Sequence, residues 1–457
     1  MTSPKDEAAK RLESFRIAAH QQLDQWVDQQ ATVFAAPSVP TLSELSAQFM
    51  KTRSTLLGGC LQAMTTELTA TYLEQVTAPC PDCQKSLPRR RLDGKTYATL
   101  QGNIHLERPY FYCLDCKHGF HPLDLALNLA HEAYQYDMQE KMLRLTAESP
   151  YAISAKLFTE LTGLSPSDHC MHETLNRIGT AAPLTDVIPS AEEINRRIAA
   201  VTKPGEELPV LVIASDGAHT PTRPKGGRSG KRGAGKWREV KGFRIYLLGG
   251  DERIIQIASW HQIQDAEQFT IDLAVVAARI PQDRVRIALL GDGAEWLWTA
   301  MVKSFPKGRQ VLDYFHCAEH VHKVAKIQYG ETLLSLQWSE STISRLFVGQ
   351  TGDVIGGLKR MTPVSDDAAT EITKLANYLD NHRERFGYDE CHEAGLPIGS
   401  GGIESANKHI CHVRLKRSGA WWLEENGNTM LRLRCALFNG TFETVLENYI
   451  SLRQQKN

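Results

Sequence analysis

Residues 207–328 constrain the fold more than any other part of the chain, because short apolar runs there alternate with longer amphipathic ones. Residues 209–214 read as a strand that ends at Ser215-Asp216-Gly217. Residues 243–248 and 253–258 read as two more, with Gly249-Gly250-Asp251 suited to the turn between them. Residues 265–280 have helical character, and 285–290 form a fourth strand ending at Gly291-Asp292-Gly293. A helix over 294–304, a fifth strand over 310–313 and a helix over 315–327 follow. A meander followed by βα units predicts an α/β sheet with crossover helices.

Composition excludes several classes. The 457 residues carry 52 lysines and arginines against 53 acids, a net charge of -1, and 42% are hydrophobic. Such a chain is a globular protein with sizeable cores, not a disordered or fibrous one. No apolar run approaches the roughly 20 residues that span a bilayer, and the opening MTSPKDEAAKRLESF is too charged for a secretory signal. A cytoplasmic protein with no membrane partner is expected. Ten cysteines are too few for a disulfide scaffold, so paired cysteines point to metal.

Cys80-Pro-Asp-Cys83 and Cys113-Leu-Asp-Cys116 are two CxxC knuckles separated by 29 residues, with a hairpin predicted around Gln101-Gly102-Asn103. Four thiolates from two knuckles suit the tetrahedral preference of structural Zn²⁺. His118 or His121 are alternative ligands. Residues 5–29 and 42–76 read as helices, an ordinary bundle. Residues 151–179 read as two helices about Gly163-Leu164-Ser165, with Ser165 as cap and Pro166 at the first helical position, an arrangement resembling a helix-turn-helix. Residues 331–390 are mostly helical, with breaks expected at 349–357 and Pro363.

The five predicted strands follow the order of the RNase H-like fold, in which the first and fourth lie side by side. Asp216 and Asp292 would then project from one sheet end, and Glu404 lies in a segment that reads as a helix capped by Ser400 or a nearby glycine. Each Asp-Gly alone is more often a turn. Together, two aspartates and a glutamate can hold two Mg²⁺ (or Mn²⁺) ions, which prefer oxygen ligands and serve in-line phosphoryl displacement. Asp313 is the rival second ligand. Residues 223–244 hold nine lysines and arginines against one acid, Glu239. Arg223, Lys225, Arg228, Lys231, Arg232, Lys236 and Arg238 in that mobile hairpin, with Arg414, Lys416 and Arg417, would contact DNA phosphates. Lys408 sits one turn beyond Glu404 and either binds phosphate or pairs with it. Trp421 and Trp422 read as core residues more readily than as a base-stacking platform.

Ser215-Asp216-Gly217, GDGAEWLW (291–298), LDYFHCAEH (312–320) and PIGSGGIESANK (397–408), followed by Lys416-Arg417-Ser418-Gly419, resemble the motifs of bacterial insertion-sequence DDE transposases of the ISKra-type family, related to the Mutator-like transposases. The resemblance spans nearly the whole chain. It implies a triad of Asp216, Asp292 and Glu404, with Asp313 and His316 matching a (C/D)xxH element that shapes the site, and a helical insertion before Glu404. The implied organisation is a helical region over 1–78, a zinc ribbon over 79–123, a helix-turn-helix region over 124–200, an RNase H-like core over 201–330, the insertion over 331–392, and the rest of the core over 393–457. The implied activity is cleavage of terminal inverted repeats and joining of the 3′-OH ends to target DNA, performed by a homodimer or larger assembly. A domesticated zinc-dependent DNA-binding regulator and a structure-selective nuclease are the alternatives.

Overall fold

The computed structural model describes residues 4–35, 38–225, 235–249 and 253–455. The chain divides into two compact units, Met1–Ile178 with Leu446–Asn457, and Gly179–Val445. Among the described residues no helix is long and apolar enough to cross a membrane.

The first unit begins with a helical hairpin, α1 (Pro4–Gln29) and α2 (Leu42–Leu73). Thr41 starts α2 through a capping box, its side chain accepting from Glu44 N while the Glu44 carboxylate accepts from Thr41 N. Strands β1 (Thr77–Pro79) and β2 (Ser86–Pro88) form a small antiparallel pair. Strands β3 (Arg91–Thr99), β4 (Gly102–Cys113) and β5 (His118–Phe120) form an antiparallel sheet. Thr99 pairs with Gly102, so the hairpin turns at Leu100-Gln101, one residue earlier than the sequence suggested. Gly102 has φ +136°, which a side chain would strain.

Helices α3 (Tyr136–Glu148), α4 (Tyr151–Thr162) and α5 (Asp168–Thr180) follow. Met138, Met142, Phe158 and Met171 bury together where α3, α4 and α5 meet. Gly163, with φ +73°, ends α4 in the left-handed conformation that glycine adopts without penalty. The start of α5 corrects the expected cap: Ser167, not Ser165, accepts from Cys170 N at 3.1 Å.

The second unit opens with α6 (Ala191–Val201) and is built on a five-stranded sheet. Its strands are β6 (Val210–Thr222), β7 (Lys236–Leu248), β8 (Ile254–Ile263), β9 (Arg286–Gly291) and β10 (Arg309–Leu312), in the order β10-β9-β6-β7-β8. Strands β6, β9 and β10 run parallel, and β7 is antiparallel to both its neighbours. Leu211, Val212, Ile213 and Ala214 are fully buried, as expected of a strand covered on both faces. Helices α7 (Ala266–Ala277) and α8 (Glu295–Ser304) make the crossovers, and α9 (Tyr314–Tyr329) follows β10.

Strand β6 is longer than the sequence suggested. It pairs with β9 only as far as Ala214↔Leu290 but with β7 on to Thr222↔Lys236. Asp216 is therefore inside a strand, beyond the point where its parallel neighbour stops. A helical layer follows, of α10 (Leu333–Phe347), α11 (Thr351–Arg360) and α12 (Asp366–Asn381). The expected break at 349–357 is confined to Gly349 and Gln350. Helix α11 runs through Gly352, Gly356 and Gly357 because Val354, Ile355 and Leu358 are buried, and that burial outweighs the poor helical propensity of glycine. The chain continues with α13 (Gly401–Asn407), a π-helical turn over Lys408–His412, α14 (Glu424–Asn439) and α15 (Phe442–Gln454).

Asn439 locks α14 onto β8. Its Nδ2 donates to Val187 O and Ser259 O, both at 2.9 Å, while its Oδ1 accepts from Ser259 N at 2.7 Å. Buried groups left without partners cost about 1–3 kcal/mol each. Asn439→Ala should lower unfolding stability by about 2–4 kcal/mol in urea denaturation. A change under about 1 kcal/mol would mean that the clamp is not needed.

Candidate functional site

The parallel register brings two carboxylates level. Asp216 and Asp292 each lie two residues past the last β6–β9 pair, Ala214↔Leu290. Asp292 begins the turn into α8, where its Oδ1 accepts from Ala294 N at 3.1 Å. Gly293 follows at φ +112°, and a Cβ there would sit 2.9 Å from His382 Nε2. Helix α13 packs on β6 and β7 and supplies Glu404. The Ser400 hydroxyl does not cap α13; it donates to Glu404 Oε1 at 2.9 Å instead.

Asp216 is held by two donors. Gly217 N reaches its Oδ1 and Asn407 Nδ2 its Oδ2, both at 2.7 Å. Burial, and then the charge of Asp292, nevertheless push its carboxyl up to about 6, with Glu404 adding to the shift. The three acids therefore share one electrostatic neighbourhood. Asp216, Glu404 and Lys408 line one open cleft of about 640 Å³. The three carboxylates do not close on one another. Among the described residues the four cysteines are the only group of three or more potential ligand side chains whose atoms all lie within 4.8 Å.

Asn407 was not singled out from sequence, yet it bridges a half-buried carboxylate and a buried imidazole. Its amide nitrogen is committed to Asp216, so its Oδ1 must accept from His261 Nε2–H at 2.9 Å. His261 is fully buried, and burial pushes its pKa down to about 4. Neutral imidazole with the proton on Nε2 is the form this arrangement requires. The signal available was spacing: Asn407 lies three residues after Glu404, one helical turn on.

Asp313 lies beside this group, its backbone N–H donating to Gly291 O at 2.9 Å. It is 1% exposed and caps α9, with Oδ1 accepting from His316 N at 2.6 Å and Oδ2 from Ser400 N. Both oxygens are engaged by backbone donors, so Asp313 ties the end of β10 to the segment that leads to Glu404. His316 packs edge-on against His320 at 4.9 Å, and His320 packs on Tyr378 at 4.7 Å. Tyr378, on α12, donates to Asp292 O at 3.0 Å, so the helical layer reaches the Asp292 turn.

The described basic residues divide into three groups. Arg223, Lys225, Lys236 and Arg238 flank the open end of the β6–β7 ribbon, where Lys225 meets Glu425 at 3.0 Å and Arg238 meets Glu424 at 3.4 Å. Lys416 and Arg417 are exposed. Arg414 is a correction: it is 3% exposed and lies 5.0 Å over the Trp422 ring, so it supports the fold and offers no phosphate contact. Arg228, Lys231 and Arg232, with the turn at 250–251, lie outside the described residues. Trp422 is buried and its Nε1 donates to Leu415 O, as expected of a core residue, whereas Trp421 is 46% exposed.

In the first unit the cysteines converge. Cys80 and Cys116 sulfurs lie 3.9 Å apart and those of Cys83 and Cys113 3.7 Å. A tetrahedral Zn²⁺ with bonds of about 2.3 Å requires sulfur–sulfur edges of roughly 3.8 Å, so the cluster has the dimensions to hold one structural zinc ion. The Cys116 N–H points at the Cys113 sulfur at 3.5 Å and is the main reason its pKa falls to about 7. His118 is turned to Asp82 at 2.9 Å and His121 to Asp93 at 3.1 Å, which leaves the ligand set to the four thiols.

Fold and site together define a mixed α/β protein with a four-cysteine cluster of the dimensions to hold a metal ion and a cleft lined by carboxylates. The chain belongs to UPF0236, an uncharacterised protein family, which it matches over residues 40–448. It is similar to the UPF0236 protein in the vanSb 3′ region of Streptococcus gallolyticus, with 22% identity over 434 residues, covering 90% of this chain and 86% of that relative.

Proposed function

We propose that this protein is a DDE-type DNA transposase whose RNase H-like core carries Asp216, Asp292 and Glu404 as the catalytic acids. The observation that carries the reading is the register: two aspartates stand level at the C-terminal side of adjacent parallel strands, and the helix bearing Glu404 packs against the first of them. The strand order β10-β9-β6-β7-β8, with β7 alone reversed, supports an RNase H-like assignment.

The donor set fits a hard divalent cation. It offers carboxylate oxygens only, and the pKa of Asp216, raised first by burial, is raised further by the charges of Asp292 and Glu404, which a cation would relieve. Mg²⁺ or Mn²⁺ held by Asp216, Asp292 and Glu404 supplies activation of an attacking oxygen and stabilisation of the leaving one. The protein's own residues do the rest. Asn407 fixes the rotamer of Asp216 and favours its anion, Tyr378 holds the Asp292 turn, and Ser400 orients Glu404. Lys408 is exposed in the cleft beside Glu404, where it meets a DNA phosphate. The basic flank of the β6–β7 ribbon positions the duplex through its backbone, and sequence readout falls to the cysteine ribbon and the α4–α5 pair.

The test is excision in cells. The gene is placed on a plasmid with its native flanking DNA, and junctions or circles are scored by PCR for wild type and Glu404→Gln. Products are expected from wild type alone, with a fall of at least about a thousandfold in the variant. Equal products from both would remove Glu404 from the chemistry, and none from either would overturn the transposase reading.

A further inference from the structure

Asp216, Gly242 and His261 stand in one row across the sheet. Asp216 pairs with Gly242 between β6 and β7, and Gly242 pairs with His261 between β7 and β8. Residues directly opposite one another share a face of the sheet. A Cβ at Gly242 would run into the His261 ring. The glycine therefore leaves the space in which the imidazole lies over β7 and reaches Asn407 on α13.

The hydrogen bonds along this row all point one way. Cys435 Sγ, on α14, lies 4.0 Å from His261 Nδ1. His261 Nε2 donates to Asn407 Oδ1 at 2.9 Å, and Asn407 Nδ2 donates to Asp216 Oδ2 at 2.7 Å. Cys435 and His261 are fully buried, and Asn407 is 3% exposed. Burial pushes the Cys435 thiol up to about 12, so it keeps its proton and suits an unprotonated Nδ1. The ring proton then belongs on Nε2, the tautomer that Asn407 also requires.

Direction matters at the far end of this chain. An asparagine amide offers hydrogens from its nitrogen and only lone pairs from its oxygen. Turned over, Asn407 would set Oδ1 against the Asp216 carboxylate, acceptor against acceptor, and its NH₂ against the His261 N–H, donor against donor. Unpaired groups in such a buried place are costly, so the imidazole locks the amide in one orientation.

We propose that His261, two strands away from Asp216, is a positioning residue for cation binding: acting through Asn407, it keeps an N–H donor on Asp216 and so presents that carboxylate as an anion to a divalent metal. The proposal rests on the reading of Asp216 as a ligand for Mg²⁺ or Mn²⁺. Gly242 is part of the same device, because a side chain there would displace the imidazole. Asp216 keeps one donor on each oxygen, from Gly217 N and Asn407 Nδ2, which leaves lone pairs on both for the cation.

Mn²⁺ titration of the purified full-length protein, followed by calorimetry without DNA, tests this apart from excision. His261→Phe removes the donor and should weaken Mn²⁺ binding at least about tenfold, the usual cost of losing a hydrogen-bond partner behind a metal ligand. His261→Gln keeps an N–H donor and should stay within about threefold of wild type. A merely structural histidine would lower stability in both variants without separating their affinities. Asp216→Asn is the control. Wild-type affinity in His261→Phe beside weakened binding in Asp216→Asn would overturn this inference alone. Unchanged binding in Asp216→Asn would overturn the metal reading and this inference with it. A second measurement needs no folded variant: in ¹⁵N-histidine spectra of wild type at neutral pH, the buried ring should be protonated at Nε2 and not at Nδ1. Protonation at Nδ1 would overturn the proposal.

Discussion

Cys113→Ser is expected to remove one Zn²⁺ per chain and unfold the ribbon over residues 77–120, leaving the Gly179–Val445 unit folded. The interior around the knuckles is small: Ala78, Cys80, Leu87, Phe111, Cys113 and Phe120, two of which are themselves cysteines of the cluster, while Tyr97, Ile104 and Leu106 of the β3–β4 hairpin bury in a separate one. So few apolar side chains cannot offset the ordering of the knuckle segments, and structural zinc contributes an apparent 10–16 kcal/mol, roughly, in isolated fingers at neutral pH. Cys113 is the sensitive position because it is fully buried and its pKa lies near 7, so it ionises readily for a metal. Serine cannot replace a soft thiolate ligand. Metal analysis should give one zinc in wild type and less than a tenth of that in the variant (about 1.4 kcal/mol per tenfold), with new protease cleavage confined to the ribbon. Unchanged zinc content, or a ribbon equally resistant to protease, would refute a structural metal.

Asp216→Asn should abolish excision while making the protein more stable at neutral pH when no divalent cation is added. In the fold the Asp216 carboxyl is raised to about 6, chiefly by burial and next by Asp292. A raised folded pKa means that the stabilising form is the protonated one. Its contribution is complete below the unfolded value of about 3.9 and is lost as pH rises through 6. The shift corresponds to about 3 kcal/mol, so wild type should gain stability on acidification from pH 7.5 to 5. Asparagine cannot ionise, and that component of the slope should vanish. Added Mg²⁺ should stabilise wild type and not the variant. Urea denaturation at the two pH values is the measurement. A variant less stable than wild type at pH 7.5, or one that keeps the full slope, would show that Asp216 carries no such charge burden.

Some of this was legible before any coordinates. The knuckles at 80–83 and 113–116 declare themselves because a CxxC turn is local and its sulfurs point the same way wherever the chain goes. The order of strands and helices across 207–328 follows from periodicity, and the pairing of Asp216 with Asp292 follows once the first and fourth strands are neighbours. Element ends were less legible. Strand β6 runs past Asp216 because β7 continues to pair with it, and α11 persists through three glycines because its other face is buried. Both outcomes depend on partners distant in sequence.

Residue roles divide along the same line. By itself the sequence determined element types, the cysteine cluster and the level placement of two aspartates, all of which depend on spacing along the chain. Only the tertiary structure decided that Asn407 reaches Asp216 from 191 positions away, that Asp313 spends both oxygens on backbone donors, and that Arg414 is buried over Trp422. The reason is physical: a hydrogen bond or a buried charge depends on which surfaces meet, and surfaces meet through packing that no local spacing encodes.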